Sequence, residues 1–179
     1  MDLTANIQPI SQQQQAEVRR ATYQCIKQAG LLYQREFKEL QVDFDLSGKC
    51  AGMYQVKRSL RRIRFNPWIF AKYYADSLGD TVTHEVAHYI VDCIYGLRRV
   101  KPHGSEWQAV MRDLGVEPKA TGNYDLTGIP IRQYQRFAYS CGCRIHQLTV
   151  LRHRKILKGR AKYLCQYCHG PLTEVLPEK

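Results

Sequence analysis

The chain has 179 residues, 44% of them apolar and 24% charged, which suits a folded domain with room for a small appendage. With 27 Lys and Arg against 16 Asp and Glu, the formal charge is +11, a balance that attracts polyanions. The longest apolar run, Trp68 to Ala71, is far below the roughly twenty residues of a bilayer span, and MDLTANIQPISQQQQ has neither the basic start nor the apolar stretch of a secretory signal, so a spanning helix and a secretory signal are not expected.

Residues 1–10 read as a polar, frayed start. Ser11 can cap a helix whose exposed first turns are Gln12–Gln15, because its hydroxyl can accept a free backbone N–H. Val18, Ala21, Cys25, Ile26 and Ala29 then fall at helical spacing up to Gly30, which ends or bends the helix, and LLYQREFKEL reads as a second helical piece. Leu40, Val42, Phe44 and Leu46 alternate with Gln41, Asp43 and Asp45, the period of a half-buried strand, and Ser47-Gly48 follows as a turn. Residues 50–65 read as a strand pair with Ile63 and Phe65 on one face. Asn66-Pro67 starts a helix, with Asn as cap and Pro at the first position, where its missing N–H costs nothing. That helix runs to Gly79. Asp80 is the predicted cap of the next, TVTHEVAHYIVDCIY, which stops at Gly96. After the loop GLRRVKPHG, Ser105 is expected to cap EWQAVMRDL, closed by Gly115. Residues 116–137 hold Pro118, Gly122, Gly128 and Pro130 without periodicity and read as a linker or wrapping loop. Paired cysteines and short β-like runs (HQLTVL, AKYLC) follow, which divides the chain into domains 1–137 and 138–179.

The positive charge is clustered. Lys57, Arg58, Arg61, Arg62 and Arg64 form one group, and Arg98, Arg99 and Lys101 a second. Between Cys141 and Thr173 the chain carries Arg144, Arg152, Arg154, Lys155, Lys158, Arg160 and Lys162 and no acid. A phosphate backbone is the commonest target of such clusters, and the interleaved Tyr54, Phe65, Trp68 and Tyr163 could stack on unpaired bases or belong to the core. The expected partner is nucleic acid.

His84-Glu85-Val86-Ala87-His88 lies within a helix bracketed independently by Asp80 and Gly96. Residues four apart share a helix face, so two imidazoles can bind one zinc, with Glu85 beside it to take a proton from water. A catalytic zinc needs a third protein ligand. Val91 and Ile94 stand where the metzincin pattern requires Gly and His, which excludes that subclass. The downstream candidates are His103, at a loop–helix junction, which is favoured, and Glu106, in a helix first turn where an acid is expected anyway. Asp92, one turn past His88, could orient a ligand imidazole or simply face solvent.

Seven cysteines, an odd number with four in two tight pairs, suit metal binding in a reducing, cytoplasmic compartment better than a disulfide framework. Cys141, Cys143, Cys165 and Cys168 match a closed four-thiolate zinc site, the natural core of a module too small to hold itself by burial. The spacing of Cys141 and Cys143 is tighter than usual, which leaves His146 or His169 as possible substitutes for one thiolate. Cys25, Cys50 and Cys93 read as small apolar residues.

HEVAH, PHGSEW after a short loop, then YSCGC and YLCQYC resemble the SprT-like zinc metallopeptidases, whose eukaryotic branch is Spartan; RFNPWIF ahead of the metal helix is similar too. The resemblance implies an α+β chain: a zincin-like minimal metalloprotease core followed by a small β zinc ribbon. It implies His84, His88 and His103 as ligands of a catalytic zinc and Glu85 as general base, with a second, structural zinc in the ribbon. It also implies work near DNA, single-stranded or damaged, because the Spartan branch degrades proteins crosslinked to DNA. The expected activity is then a metalloendopeptidase, DNA-dependent, with Tyr89, Tyr95 and Tyr124 as candidate oxyanion donors and the strand near 57–65 as the edge to which an extended protein substrate adds. The rival expectation is a non-catalytic zinc protein that binds nucleic acid, its zinc closed by a fourth protein ligand such as Glu106 or Asp92.

Overall fold

The computed structural model describes residues 7–130 and 135–175; most of the expected polar start, residues 1–6, lies outside them. The chain is of mixed α+β class and divides into two compact units, Met1–Ile131 and Arg132–Lys179.

In the first unit, helix α1 (Gln12–Leu32) begins in a full capping box: Ser11 Oγ accepts from the Gln14 amide, and the Gln14 side chain takes the Ser11 N–H. The helix passes through Gly30 and ends two residues later, and LLYQREFKEL is not helical beyond Leu32. Strand β1 (Gln41–Asp43) is shorter than its alternating pattern predicts. It pairs parallel with β3 (Leu60–Phe65), and β2 (Gly52–Lys57) pairs antiparallel with β3, giving the order β1-β3-β2. Ile63 and Phe65 of β3 are both fully buried, as their shared face predicts.

Helix α2 (Pro67–Lys72) starts where Asn66-Pro67 requires, with Asn66 Oδ1 accepting the Trp68 and Ile69 amides. No break follows at Gly79. A single-turn helix α3 (Tyr74–Asp76) and a π-helical turn Ser77–Thr81 lead directly into α4 (Val82–Ile94). Asp80 therefore sits inside a turn and caps nothing, contrary to expectation. Helix α4 is the centre of the unit, with α1, α5 (Ser105–Asp113) and β2 packed around it. Its Val82, Val86, Ala87, Ile90 and Val91 join α1's Val18 and Ile26 and α5's Trp107, Val110 and Met111 in one core; each buried Val, Ile or Met side chain contributes about 1.5–3 kcal/mol by leaving water. The cap of α5 is Gly104 rather than Ser105, which is the first helical residue and turns its hydroxyl to Glu106.

The second unit is a three-stranded sheet of order β5-β4-β6, from β4 (Arg136–Ser140), β5 (Ile145–Thr149) and β6 (Thr173–Glu174). Strand β4 starts ahead of the boundary expected near 138. HQLTVL leaves its strand after Thr149, which accepts the Arg152 amide and caps helix α6 (Val150–Leu157), so the ribbon is not purely β. AKYLC forms a single bridge, Leu164 to Pro171, in place of a strand.

Candidate metal centres and cleft

Helix α4 places His84 and His88 one turn apart, and the loop after it brings His103 back onto them. The three Nε2 atoms lie 3.2 Å (His84–His88), 3.1 Å (His88–His103) and 3.0 Å (His103–His84) apart. Three nitrogens bound at about 2.0–2.1 Å to one tetrahedral ion lie roughly 3.3 Å apart, so the triangle fits a single zinc. Burial, aided by the neighbouring His103, pushes His84 down to about 4 against a bond to the Lys119 carbonyl. Burial and the other two histidines push His88 down to about 3. At neutral pH both rings are uncharged, as ligation requires. His103 holds a left-handed backbone, φ 56°, and its carbonyl accepts the Gln108 side-chain amide. Trp107, 2% exposed, packs against all three imidazoles, with ring centroids 4.7–5.6 Å away, and donates its indole N–H to the His84 carbonyl.

Glu85 is 5% exposed. Burial raises its carboxyl to about 8, against a hydrogen bond in which the Tyr54 backbone N–H donates to Oε2 at 2.6 Å. Glu85 and the three histidines line a cleft of about 540 Å3, walled by β2 and by residues 116–124, the segment predicted to wrap. Of the three candidate oxyanion donors, Tyr124 lies in this cleft, its hydroxyl 3.1 Å from that of Thr81. Tyr89 is buried with its hydroxyl on the Lys38 carbonyl, and Tyr95 is exposed and does not line the cleft.

Glu106 and Asp92 are not part of the histidine cluster, which among the described residues holds three donors. Asp92 orients no imidazole; it accepts the Tyr54 hydroxyl and Arg61 Nε, both at 2.7 Å on Oδ2. The first basic group is largely engaged within the fold. Arg61 pairs with Asp92, Arg62 with Asp43 and Arg64 with Asp45, while Lys57 and Arg58 stand exposed at the β2–β3 turn. Phe65 is buried against Phe70 and cannot stack on a base. The predicted substrate edge moves as well: β3 is central, with both sides paired, and β2 is the edge strand at the cleft. Sequence reasoning missed the hold of β2 on Glu85 and the packing of Trp107, for which the only signal was the Trp three residues after His103-Gly104.

In the second unit Cys141, Cys143, Cys165 and Cys168 form a mutually close group of four thiols. Cys141 and Cys143 sulfurs are 3.1 Å apart, and Cys143 and Cys165 sulfurs 3.8 Å; sulfurs on one tetrahedral zinc lie about 3.8 Å apart. Burial works against ionisation of Cys141, but hydrogen bonds from Cys143 and His146 outweigh it and favour the thiolate. His146 Nε2 is 3.3 Å from that sulfur, beside the group and not within it; His169 is exposed and outside it too. Arg152, Arg154, Lys155, Lys158, Arg160 and Lys162 are all exposed, with no ion pair among the described residues. Among the described residues no helix is long and apolar enough to cross a membrane.

Comparison with known proteins agrees with this division. The SprT-like family model matches residues 22–135 and that of the SprT-like zinc ribbon domain residues 135–176. Protein SprT of Actinobacillus succinogenes is 39% identical over 159 residues, 89% of this chain and 90% of the relative. Protein SprT of Vibrio parahaemolyticus is 37% identical over 150 residues, 83% and 87% of the two chains. That of Pseudomonas aeruginosa is 36% identical over 161 residues, 86% and 93%. No solved structure gives a significant match.

Proposed function

The chain belongs to the SprT-like family, and on that premise we propose that it is a zinc-dependent metalloendopeptidase with a zincin-like core, acting on proteins bound or crosslinked to DNA. The observation that carries the reading is the triangle of three imidazoles in a cleft shared with one carboxylate. His84, His88 and His103 would hold the zinc, which when bound would supply Lewis acidity for a scissile carbonyl and for a water. Glu85 takes that water's proton and returns it to the leaving amine. Strand β2 offers its free edge to an extended substrate backbone. Tyr124 is the hydroxyl in the cleft available to a developing oxyanion. Cys141, Cys143, Cys165 and Cys168 hold the structural zinc.

The exposed cations of residues 152–162 support DNA as the partner, single-stranded or damaged by analogy with the Spartan branch, and a cytoplasmic site of action goes with that role. The alternative, a non-catalytic zinc protein that binds nucleic acid, needs a closed ion; neither Glu106 nor Asp92 reaches the cluster to close it.

The test is Glu85→Gln on a DNA-bound protein substrate, with and without single-stranded DNA. The variant keeps its fold and both zincs and loses about 100- to 10,000-fold in cleavage. Undiminished cleavage overturns the assignment.

A further inference from the structure

The general base is held by the backbone of another element. Strand β2 runs past α4 so closely that a Cβ built on Gly52 would lie 2.7 Å from Glu85 Cγ and 2.7 Å from its Oε1, distances that atoms in contact do not adopt. The backbone at Gly52 shows no positive φ, so its conformation is open to any residue, and what demands glycine is the space. Two residues on, the same strand edge points the Tyr54 N–H at Glu85 Oε2, 2.6 Å away. The first fact makes the second possible: only with Gly52 bare can the strand come near enough to bond the carboxylate.

We propose that Gly52 is a positioning residue for the proposed peptidase, its missing side chain letting β2 close on Glu85 so that the Tyr54 amide fixes Oε2 and leaves Oε1 as the proton-accepting oxygen. The proposal rests on the peptidase reading for its chemistry and on the β2–Glu85 contact for its geometry. A methyl group at position 52 displaces the carboxylate by roughly an ångström, enough to cost about 100-fold in a positioned reaction. The lever is the carboxylate and not the substrate edge, so kcat should fall and KM should not.

Two measurements on the zinc-loaded full chain separate this from a general packing defect. In cleavage of a DNA-bound protein, Gly52→Ala lowers kcat roughly 10- to 100-fold with KM within about twofold and zinc content unchanged. In a Glu85→Asp background, where the carboxylate is one methylene shorter, the same alanine costs less than about threefold. In thermal unfolding of the same zinc-loaded chain, Gly52→Ala lowers Tm in the wild-type background and leaves it unchanged when Glu85→Ala has removed the opposing side chain. Equal losses of Tm in both backgrounds, or an undiminished kcat in Gly52→Ala, overturn the proposal. A wild-type chain that cleaves nothing ends the peptidase reading, while the Tm coupling still decides whether Gly52 is what lets β2 hold Glu85.

Discussion

Asp92 shows how one side chain can tie a sheet to the helix that carries His84 and His88. Its Oδ2 takes both the Tyr54 hydroxyl and Arg61, and its Oδ1 lies 3.4 Å from the Leu97 amide. Burial pushes its pKa up, but the bonds from Tyr54 and Arg61 outweigh burial and hold it below the ordinary carboxylate value. A carboxyl whose folded pKa is depressed adds stability that is present above the unfolded value, about 3.9, and lost as pH falls through the folded one. Asp92→Asn keeps the shape and removes the charge, so at pH 7 it should cost about 1 kcal/mol, the difference between charged and neutral acceptors. The gap between wild type and variant should close below about pH 4, which urea unfolding at a series of pH values would read. A gap constant down to pH 2 would mean the charge contributes nothing.

At the scale of elements, local signals were legible and distant ones were not. Ser11 and Asn66 start their helices as read, because a cap is a contact within three residues. Asn66 does more than the pattern tells, since its side-chain amide also donates to the Gly48 carbonyl and fixes the loop before β2. Asn66→Ala should therefore cost about 2 kcal/mol where Ser11→Ala costs about 1, measured by chemical denaturation, with zinc content unaltered in both. Gly79-Asp80 carried equally good stop and start signals and was misread, because the π turn keeps the helical hydrogen bonds running and delivers α4 without a break. The β1 pattern outran its strand because pairing with β3 ends at Asp43 opposite Arg64. His84, Glu85, His88 and the four cysteines were readable from spacing, and His103 from its place at a loop end. The grip of β2 on Glu85 spans 31 residues and has no local trace. The ion pairs of Arg62 and Arg64 did leave one: Asp43 and Asp45 alternate on one stretch as the arginines do on the other.

Across the whole molecule the two units divide the charge and the stability between them. In the first, the arginines of β3 are occupied by carboxylates; in the second, the cations of α6 and the segment after it form no ion pair among the described residues. If single-stranded DNA binds through the second unit, replacing Arg152, Arg154 and Lys155 by alanine should flatten the log–log salt dependence of affinity by up to about 2, near 0.7 per lost phosphate contact. Replacing Arg62 and Arg64 should leave that slope alone and weaken the sheet instead. Fluorescence anisotropy at four salt concentrations would show it; equal slopes for the first set and wild type would remove the second unit from the interface. Stability divides in the same way. Among the described residues, the buried apolar side chains of the second unit are Tyr139, Leu148 and Cys165, too few to offset the ordering of some forty residues. Chelation should therefore unfold residues 136–175 first, detected as protease cuts there, while the α1–α4–α5 core of the first unit persists.

The left-handed backbone at His103 has a consequence for heat resistance. An L-residue resists that conformation by about 1–2 kcal/mol, and something must repay it. A ligand gripped by both His88 and His103 ties together positions fifteen apart, acting on the unfolded chain as a cross-link does. Closing a ring of that size is worth about 3 kcal/mol in lost chain entropy. On the proposed zinc reading, melting temperature is thus a gauge of occupancy, and withdrawing the ion would empty the histidine cluster and slacken the 95–104 loop in the same event.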